Sequence, residues 1–237
     1  MVEIAVLASG SRGNCYRVTD GSTPILLECG VRFQQIQRWL TFRVQDLAAC
    51  LVSHEHQDHA RAMADMLRAG MDCYMSAGTQ EALGISGHRV RVIRAREQFA
   101  VGTWQVLPFE TQHDAAEPLG FLLATKDGEK VLYATDTYYI RYRFPRLTHI
   151  MIECNYALDI LQENVANGTV PPVLRDRVLK SHFSLAHVKD FLRANDLSWV
   201  QEIWLLHLSD GNSDAERFKR EIQELTGKEV YVAPAAQ

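Results

Sequence analysis

Leu51-Val-Ser-His54-Glu-His56-Gln-Asp58-His59 decides how the rest of this chain is read, because four strong metal-ligand side chains fall within six residues directly after an apolar run. Ala48-Ala-Cys-Leu-Val52 reads as a buried strand. A chain leaving such a strand in a tight turn can point His54 and His56 at one ion and Asp58 and His59 at a neighbouring one. Imidazole and carboxylate are the ligand types that suit zinc, manganese and iron. The plainer readings of the same residues are a histidine-rich surface loop, or a helix N-terminus with Asp58 as its cap. Spacing alone does produce such false positives.

Isolated ligand types also stand beside later strand-like runs: His113 in Phe109-Glu-Thr-Gln-His113-Asp, Asp136 closing Val131-Leu-Tyr-Ala-Thr-Asp136, and His207 in Ile203-Trp-Leu-Leu-His207-Leu-Ser. Taken singly each is weak, since a histidine beside an apolar strand is more often a hydrogen-bonded structural residue. Together, in this order after an H-x-H-x-D-H motif, they resemble the metallo-β-lactamase fold. That resemblance implies an α/β protein built as a four-layer αββα sandwich with the metals at one edge. It also implies a ligand set: His54, His56 and His113 on one ion, Asp58, His59 and His207 on the other, and Asp136 shared. His187 and His149 are the rivals for His207, but one follows His182 too closely and the other begins a strand.

Length and composition are compatible with this. At 237 residues and 47% hydrophobic content the chain can bury a large core. It contains no Gly/Ser-rich or Pro-rich linker and no low-complexity run, so residues 1–237 are expected to form a single domain. The N-terminus lacks a signal-peptide pattern and no apolar run reaches transmembrane length, which points to a cytoplasmic protein with no membrane partner. Five cysteines without a C-x-x-C pair fit a reducing compartment.

Periodicity predicts strands at Glu3–Ala8, Cys15–Val18, Ile25–Cys29, Asp72–Met75, Trp104–Phe109, Gly120–Thr125, Lys130–Ala134, His149–Glu153, Glu202–Leu206 and Glu229–Val232. Helices are expected at Phe33–Leu40, Ala60–Ala69 with Gly70 as its stop, Pro172–Lys180, Leu185–Ala194 and Asp214–Thr226.

The resemblance narrows through Glu153 in Met151-Ile-Glu-Cys-Asn155 and His182 in Lys180-Ser-His-Phe-Ser184. Phosphodiesterases of the same fold, such as RNase Z and the β-CASP nucleases, carry an acidic residue and a non-ligand histidine in this interval. The chain is most similar to small bacterial and phage proteins of the YycJ or WalJ type. That similarity runs through Ala8-Ser-Gly-Ser-Arg-Gly-Asn14, Ile25-Leu-Leu-Glu-Cys-Gly30, the His54–His59 motif, Gln112-His-Asp114, Ala134-Thr-Asp136 and His207-Leu-Ser209. It implies a dinuclear phosphodiesterase, a DNA or RNA nuclease, in which a hydroxide bridging two zinc, manganese or iron ions attacks phosphorus. Asp58 would orient that hydroxide. His182, held by Glu153, would protonate the leaving oxygen. Two departures stand out: Glu28 where the group usually has Asp, and Ser181-His-Phe-Ser-Leu185 where it usually has G-H-L-S-N. The first retains a carboxylate, whereas the second removes a glycine from a loop expected to face phosphate.

A net charge of −4 excludes a protein that coats DNA through a broad basic surface. Two local clusters run against that average, Arg89 to Arg96 and Tyr138-Tyr-Ile-Arg141-Tyr-Arg143-Phe-Pro-Arg146. Interleaved aromatics and arginines are what grip a single strand or a strand end, so Tyr138, Arg141 and Arg143 are candidate substrate contacts. Ser11, Arg12 and Asn14 are further candidates if Ser9–Asn14 forms a backbone nest for an anion, although a plain hairpin turn explains that stretch equally well. The rival classes are a metallo-hydrolase of a small ester, lactone or thioester, and a binding protein on an inactive scaffold. Oligomeric state is not legible in the sequence.

Overall fold

The computed structural model describes residues 1–235. Their strands form two sheets, and the chain divides into two compact units, Met1–Glu110 with Ala115–Glu129 and Thr111–Asp114 with Lys130–Ala233.

In the first unit the strands β1 (Glu3–Ala8), β2 (Cys15–Thr19) and β3 (Ile25–Leu27) form an antiparallel meander, with a bulge between Val6 and Ala8. Helix α1 (Phe33–Trp39) then returns the chain to β4 (Ala49–Leu51), which runs parallel to β3. Short helices α2 (Gln57–Ala60) and α3 (Met63–Arg68) lead to β5 (Cys73–Met75), and α4 (Ala77–Leu83) leads to the edge strand β6 (Val90–Val92). The sheet order is β1 to β6 in sequence. Strands β3 and β4 are buried at every position, as parallel strands covered on both faces should be. Ile36, Leu40, Met63 and Met66 from the helical segments pack with Leu26, Cys50, Val52, Cys73 and Met75. Each such side chain contributes about 1.5–3 kcal/mol of transfer free energy. The antiparallel strands β7 (Phe99–Val101), β8 (Trp104–Glu110) and β9 (Leu119–Ala124) complete this unit.

The second unit is built on parallel strands β10 (Lys130–Ala134), β11 (His149–Glu153), β12 (Glu202–Leu206) and β13 (Glu229–Val232), adjacent in that order. Helices α5 (Leu158–Ala166), α6 (Pro172–Ser181) and α7 (Leu185–Ala194) lie between β11 and β12, and α8 (Ala215–Thr226) joins β12 to β13. Ser184 and Asp214 cap α7 and α8 by accepting from the backbone N–H of His187 and Arg217, while Gly227 ends α8 in the left-handed conformation.

One expected helix is broken. Ala60–Ala69 reads as a single amphipathic run, but Arg61 and Ala62 separate α2 from α3. The carbonyls of Asp58 and His59, which would accept from the next turn, accept instead from Asn14 N–H (2.8 Å) and Cys29 N–H (2.8 Å), and Ala62 N–H donates to Cys29 O (2.9 Å). The metal-motif turn is thus pinned to the β3 exit rather than continued as helix.

Candidate metal centre

The motif residues of the first unit leave β4 at its carboxyl end, the position where parallel α/β sheets present ligands. His54 is buried, and Ser53 Oγ lies 2.9 Å from its Nδ1, which turns Nε2 toward His56 Nδ1 at 3.0 Å. Two nitrogens bound to one tetrahedral zinc at about 2.0–2.1 Å stand roughly 3.3 Å apart, so this pair already has the spacing of two ligands on one ion. His59 is fully buried, with Glu28 Oε2 3.5 Å from its Nδ1 and Asp58 Oδ2 3.5 Å from its Nε2. Glu28 is fully buried too and accepts from Ser53 N–H at 3.2 and 3.3 Å, so it fixes both the motif turn and the orientation of His59. Gly30 explains the close approach of the two segments: a Cβ there would lie 1.7 Å from the carbonyl oxygen of Asp58.

In the second unit the parallel register brings three strand ends to one edge. Ala134 is opposite Ile152, and Glu153 is opposite Leu206, so Asp136, Glu153 and His207 emerge side by side. The two carboxylate oxygens of Asp136 face different histidines: Oδ2 is 3.4 Å from His113 Nε2, and Oδ1 is 3.4 Å from His207 Nδ1. This is the arrangement a carboxylate shared by two ions needs. His113 is oriented by the Ser181 carbonyl, 2.9 Å from its Nδ1, and burial above all holds its pKa below the ordinary value, so the ring stays neutral as a ligand must. Asn155 Nδ2 donates to the His207 carbonyl at 2.8 Å. Asp136, Glu153, His182 and His207 each offer a ligand atom within 4.8 Å of the others. The nitrogen and oxygen donors of both units are of the kind that bind zinc, manganese or iron.

Glu153 and His182 form a buried pair. His182 Nδ1 lies 2.6 Å from Glu153 Oε1, and Glu153 Oε2 accepts from the N–H groups of Thr137 and Phe183, both at 3.0 Å. Burial is the largest single influence on His182 and disfavours its charged form. The Glu153 charge and hydrogen bond, with Asp136, outweigh it and raise the ring's pKa. The same pairing overcomes the burial penalty on Glu153 and lowers its pKa, so the two groups agree on an imidazolium and a carboxylate. The ring of His182 stacks 5.5 Å from His207 and meets His113 edge-on at 5.4 Å.

The remaining candidates fall into two groups. Tyr138, Arg141 and Arg143 are exposed on the segment after Asp136, and Ser11 and Arg12 are exposed on the turn between β1 and β2. Asn14 is fully buried, and its amide joins Gly10, the Asp58 carbonyl and His59 Nε2. It therefore braces the metal-motif turn instead of offering a surface contact. Of the departures, Ser181 closes α6 by donating to the Arg177 carbonyl at 2.9 Å, and Leu185 is a buried core residue of α7. His149 sits at the opposite end of β11 from Glu153, bonded to Thr148, and His187 contacts the Tyr138 carbonyl at 3.1 Å. The supporting residues Glu28, Ser53 and Asn155 each lie next to a recognisable motif, yet nothing in the spacing identifies their partners.

A family model described as "Beta-lactamase superfamily domain" matches residues 23–191. Exodeoxyribonuclease WalJ of Streptococcus pneumoniae serotype 2 (strain D39) is 27% identical over 229 residues, covering 90% of this chain and 83% of its own. Exodeoxyribonuclease YycJ of Bacillus anthracis is 24% identical over 242 residues, covering 94% and 89%. Among solved structures, the metallo-β-lactamase fold protein YhfI of Bacillus subtilis aligns over 99% of this chain and 97% of its own with a TM-score of 0.75 at 15% identity. Human tRNase Z, short form, aligns over 100% and 98% with a TM-score of 0.66 at 12% identity. The chain belongs to the β-lactamase superfamily domain family and has the metallo-β-lactamase fold.

Proposed function

We propose that this protein is a two-metal phosphodiesterase that degrades nucleic acid, with DNA as the substrate. In this reading His54, His56 and His113 hold one ion, Asp58, His59 and His207 hold the other, and Asp136 is shared. The observation that carries it is the Glu153–His182 pair beside Asp136 and His207, because a phosphodiester expels a poor alkoxide leaving group and gains from a positioned acid, whereas a thioester, whose thiolate leaves readily, does not. The exodeoxyribonuclease names of the relatives from Streptococcus pneumoniae and Bacillus anthracis support the same substrate class.

Two bound dications, zinc or manganese, would supply positive charge for the phosphoryl oxygens and lower the pKa of an attacking water, to about 7 where the ion is zinc. The chain's own groups do the rest. Asp58 orients the attacking water. Glu153 holds the Nδ1–H of His182, leaving the Nε2–H of the charged ring to pass its proton to the departing oxygen. Tyr138, Arg141 and Arg143 line the exposed segment directly after Asp136 and bind the strand, and Ser11 and Arg12 offer a second contact. A cytoplasmic setting accords with five free, buried cysteines, and among the described residues no helix is long and apolar enough to cross a membrane.

The test is an assay of metal-supplemented protein on labelled single- and double-stranded DNA and RNA, beside a lactone and a nitrophenyl phosphodiester. Nucleotide release from DNA, abolished by a chelator and restored by manganese or zinc with two ions bound per chain, is expected. Lactone hydrolysis without DNA cleavage would refute the reading.

A further inference from the structure

The segment from Thr137 to Leu147 alternates between anchors and exposed groups. Ile140, Phe144 and Leu147 are buried, while Tyr138, Tyr139, Arg141, Arg143 and Arg146 face outward. It is fastened at both ends without using the exposed side chains. His187 Nδ1 meets the Tyr138 carbonyl at 3.1 Å, and Phe144 N–H donates to Asn195 Oδ1 at 2.9 Å. At its far end Arg146 adopts a left-handed backbone (φ 59°) and lays its guanidinium 4.7 Å from the ring centre of Trp199. Trp199 nevertheless remains 53% exposed, and Tyr139 50%. Among the described residues no carboxylate pairs with Arg141, Arg143 or Arg146, whereas Arg89 and Arg91 both bind Asp72 and Arg96 binds Glu110. An indole ring and a guanidinium without an acid partner therefore stand together, both open to solvent. It is the combination that stacks a base and holds the adjoining phosphate.

We propose that Trp199, with Arg146 stacked on it, is the outer contact of a single-stranded nucleic-acid track that begins at Tyr138 beside the catalytic residues. The indole takes a base and the guanidinium the neighbouring phosphate. This rests on the nuclease reading above and adds where the strand leaves the site. Tyr138 and Arg146 are eight residues apart, so the track spans at most about 29 Å, which a stacked strand rising about 3.4 Å per base covers in roughly eight nucleotides.

The experiment measures binding of a cleavage-resistant phosphorothioate 12-mer, and of the matching dinucleotide, to metal-loaded protein by fluorescence anisotropy. Trp199→Ala is expected to weaken the 12-mer about 5- to 150-fold, with a far smaller effect on the dinucleotide, and Trp199→Phe to restore most of the loss. Arg146→Gln is expected to flatten the slope of log affinity against log salt by about 0.7. Wild-type 12-mer affinity in Trp199→Ala overturns the proposal, as does an equal loss on both ligands in the Ala and Phe variants, which marks a structural role. If the wild-type protein cleaves DNA in the face of either result, only this inference fails. If it neither binds the 12-mer nor cleaves DNA, the nuclease reading fails with it.

Discussion

His182→Ala separates the phosphodiesterase reading from its rivals, and the structure sets the size of the effect. The Nδ1 edge of the ring is committed to Glu153 at 2.6 Å, and the ring stacks on His207 at 5.5 Å and meets His113 edge-on at 5.4 Å, so the acid is held in one orientation. A general acid so positioned contributes about 10²- to 10⁴-fold, which is roughly 2.7 to 5.4 kcal/mol of barrier. His182→Ala should lose that much turnover on DNA while keeping both metals, because the proposed ligand set does not include it. A diester that expels nitrophenolate needs little protonation and should be largely spared. The assay is steady-state hydrolysis of both substrates together with metal content and thermal unfolding of the variant. DNA cleavage at the wild-type rate, equal loss on both esters, or loss of a metal would each sink the general-acid role.

Glu153→Gln is the tempting companion, but it is not a clean test. Oε1 faces the Nδ1–H of the charged His182 ring and Oε2 accepts from two backbone N–H groups, so either orientation of the amide sets its NH₂ against a donor. An unsatisfied buried donor costs about 1–3 kcal/mol. A lowered unfolding midpoint in urea, together with lost activity, is therefore expected of this variant.

Arg141→Ala with Arg143→Ala should weaken binding of long single-stranded DNA and lower its salt slope by about 1.4, whereas a loss independent of salt would assign the two arginines to loop structure. Gly30→Ala drives a Cβ to 1.7 Å from the Asp58 carbonyl and should cost about 3 kcal/mol or more; normal stability and full metal content would show that the β3 exit is not what fixes the motif turn. Glu221 accepts hydrogen bonds from Lys189 and from Arg217, and these lower its pKa. A depressed carboxylate stabilises the fold above its unfolded pKa of about 4.3 and loses that contribution as pH falls through the lowered folded value. Glu221→Gln should therefore destabilise by about 0.5–1 kcal/mol at neutral pH, with the gap closing below about pH 4; a pH-independent gap would refute the assignment to charge.

The elements that were readable from sequence are those whose ends carry their own chemistry. Leu185–Ala194 was bounded by Ser184 and closed by a clear apolar stripe, and Glu202–Leu206 and Glu229–Val232 are short apolar runs set off by polar residues. Ala77–Leu83 is not legible in the sequence although it has a Ser76 cap accepting from Thr79 N–H and a left-handed Gly84, because seven residues carry too little periodicity to register. Leu158–Ala166 has no side-chain cap, and Val90–Val92 and Phe99–Val101 are three-residue strands without a clean alternation. The arginines of the Arg89–Arg96 cluster look like a nucleic-acid surface in sequence, yet Arg89 and Arg91 are spent on Asp72 at the edge of the sheet.

The candidate site was legible for a different reason. Parallel strands deliver their carboxyl ends to one edge, so a ligand just after each of several apolar runs is informative even when the distances between runs are arbitrary. What spacing does not reveal is the direction in which each side chain turns. Glu28, Asp136 and His207 all have left-handed backbones, with φ of 64°, 44° and 51°. A non-glycine residue held there costs roughly 1–2 kcal/mol. Neighbouring bonds enforce the turn: Glu28 N–H donates to Leu51 O at 2.9 Å, Thr135 Oγ1 donates to Asp136 Oδ1 at 2.9 Å, and Asn155 Nδ2 reaches the His207 carbonyl. Glycine would relieve the backbone at each of these positions but would bring no carboxylate or imidazole. The strain is therefore tied to the side chains, and the stability given up at these strand ends has to be recovered in the buried parallel strands behind them.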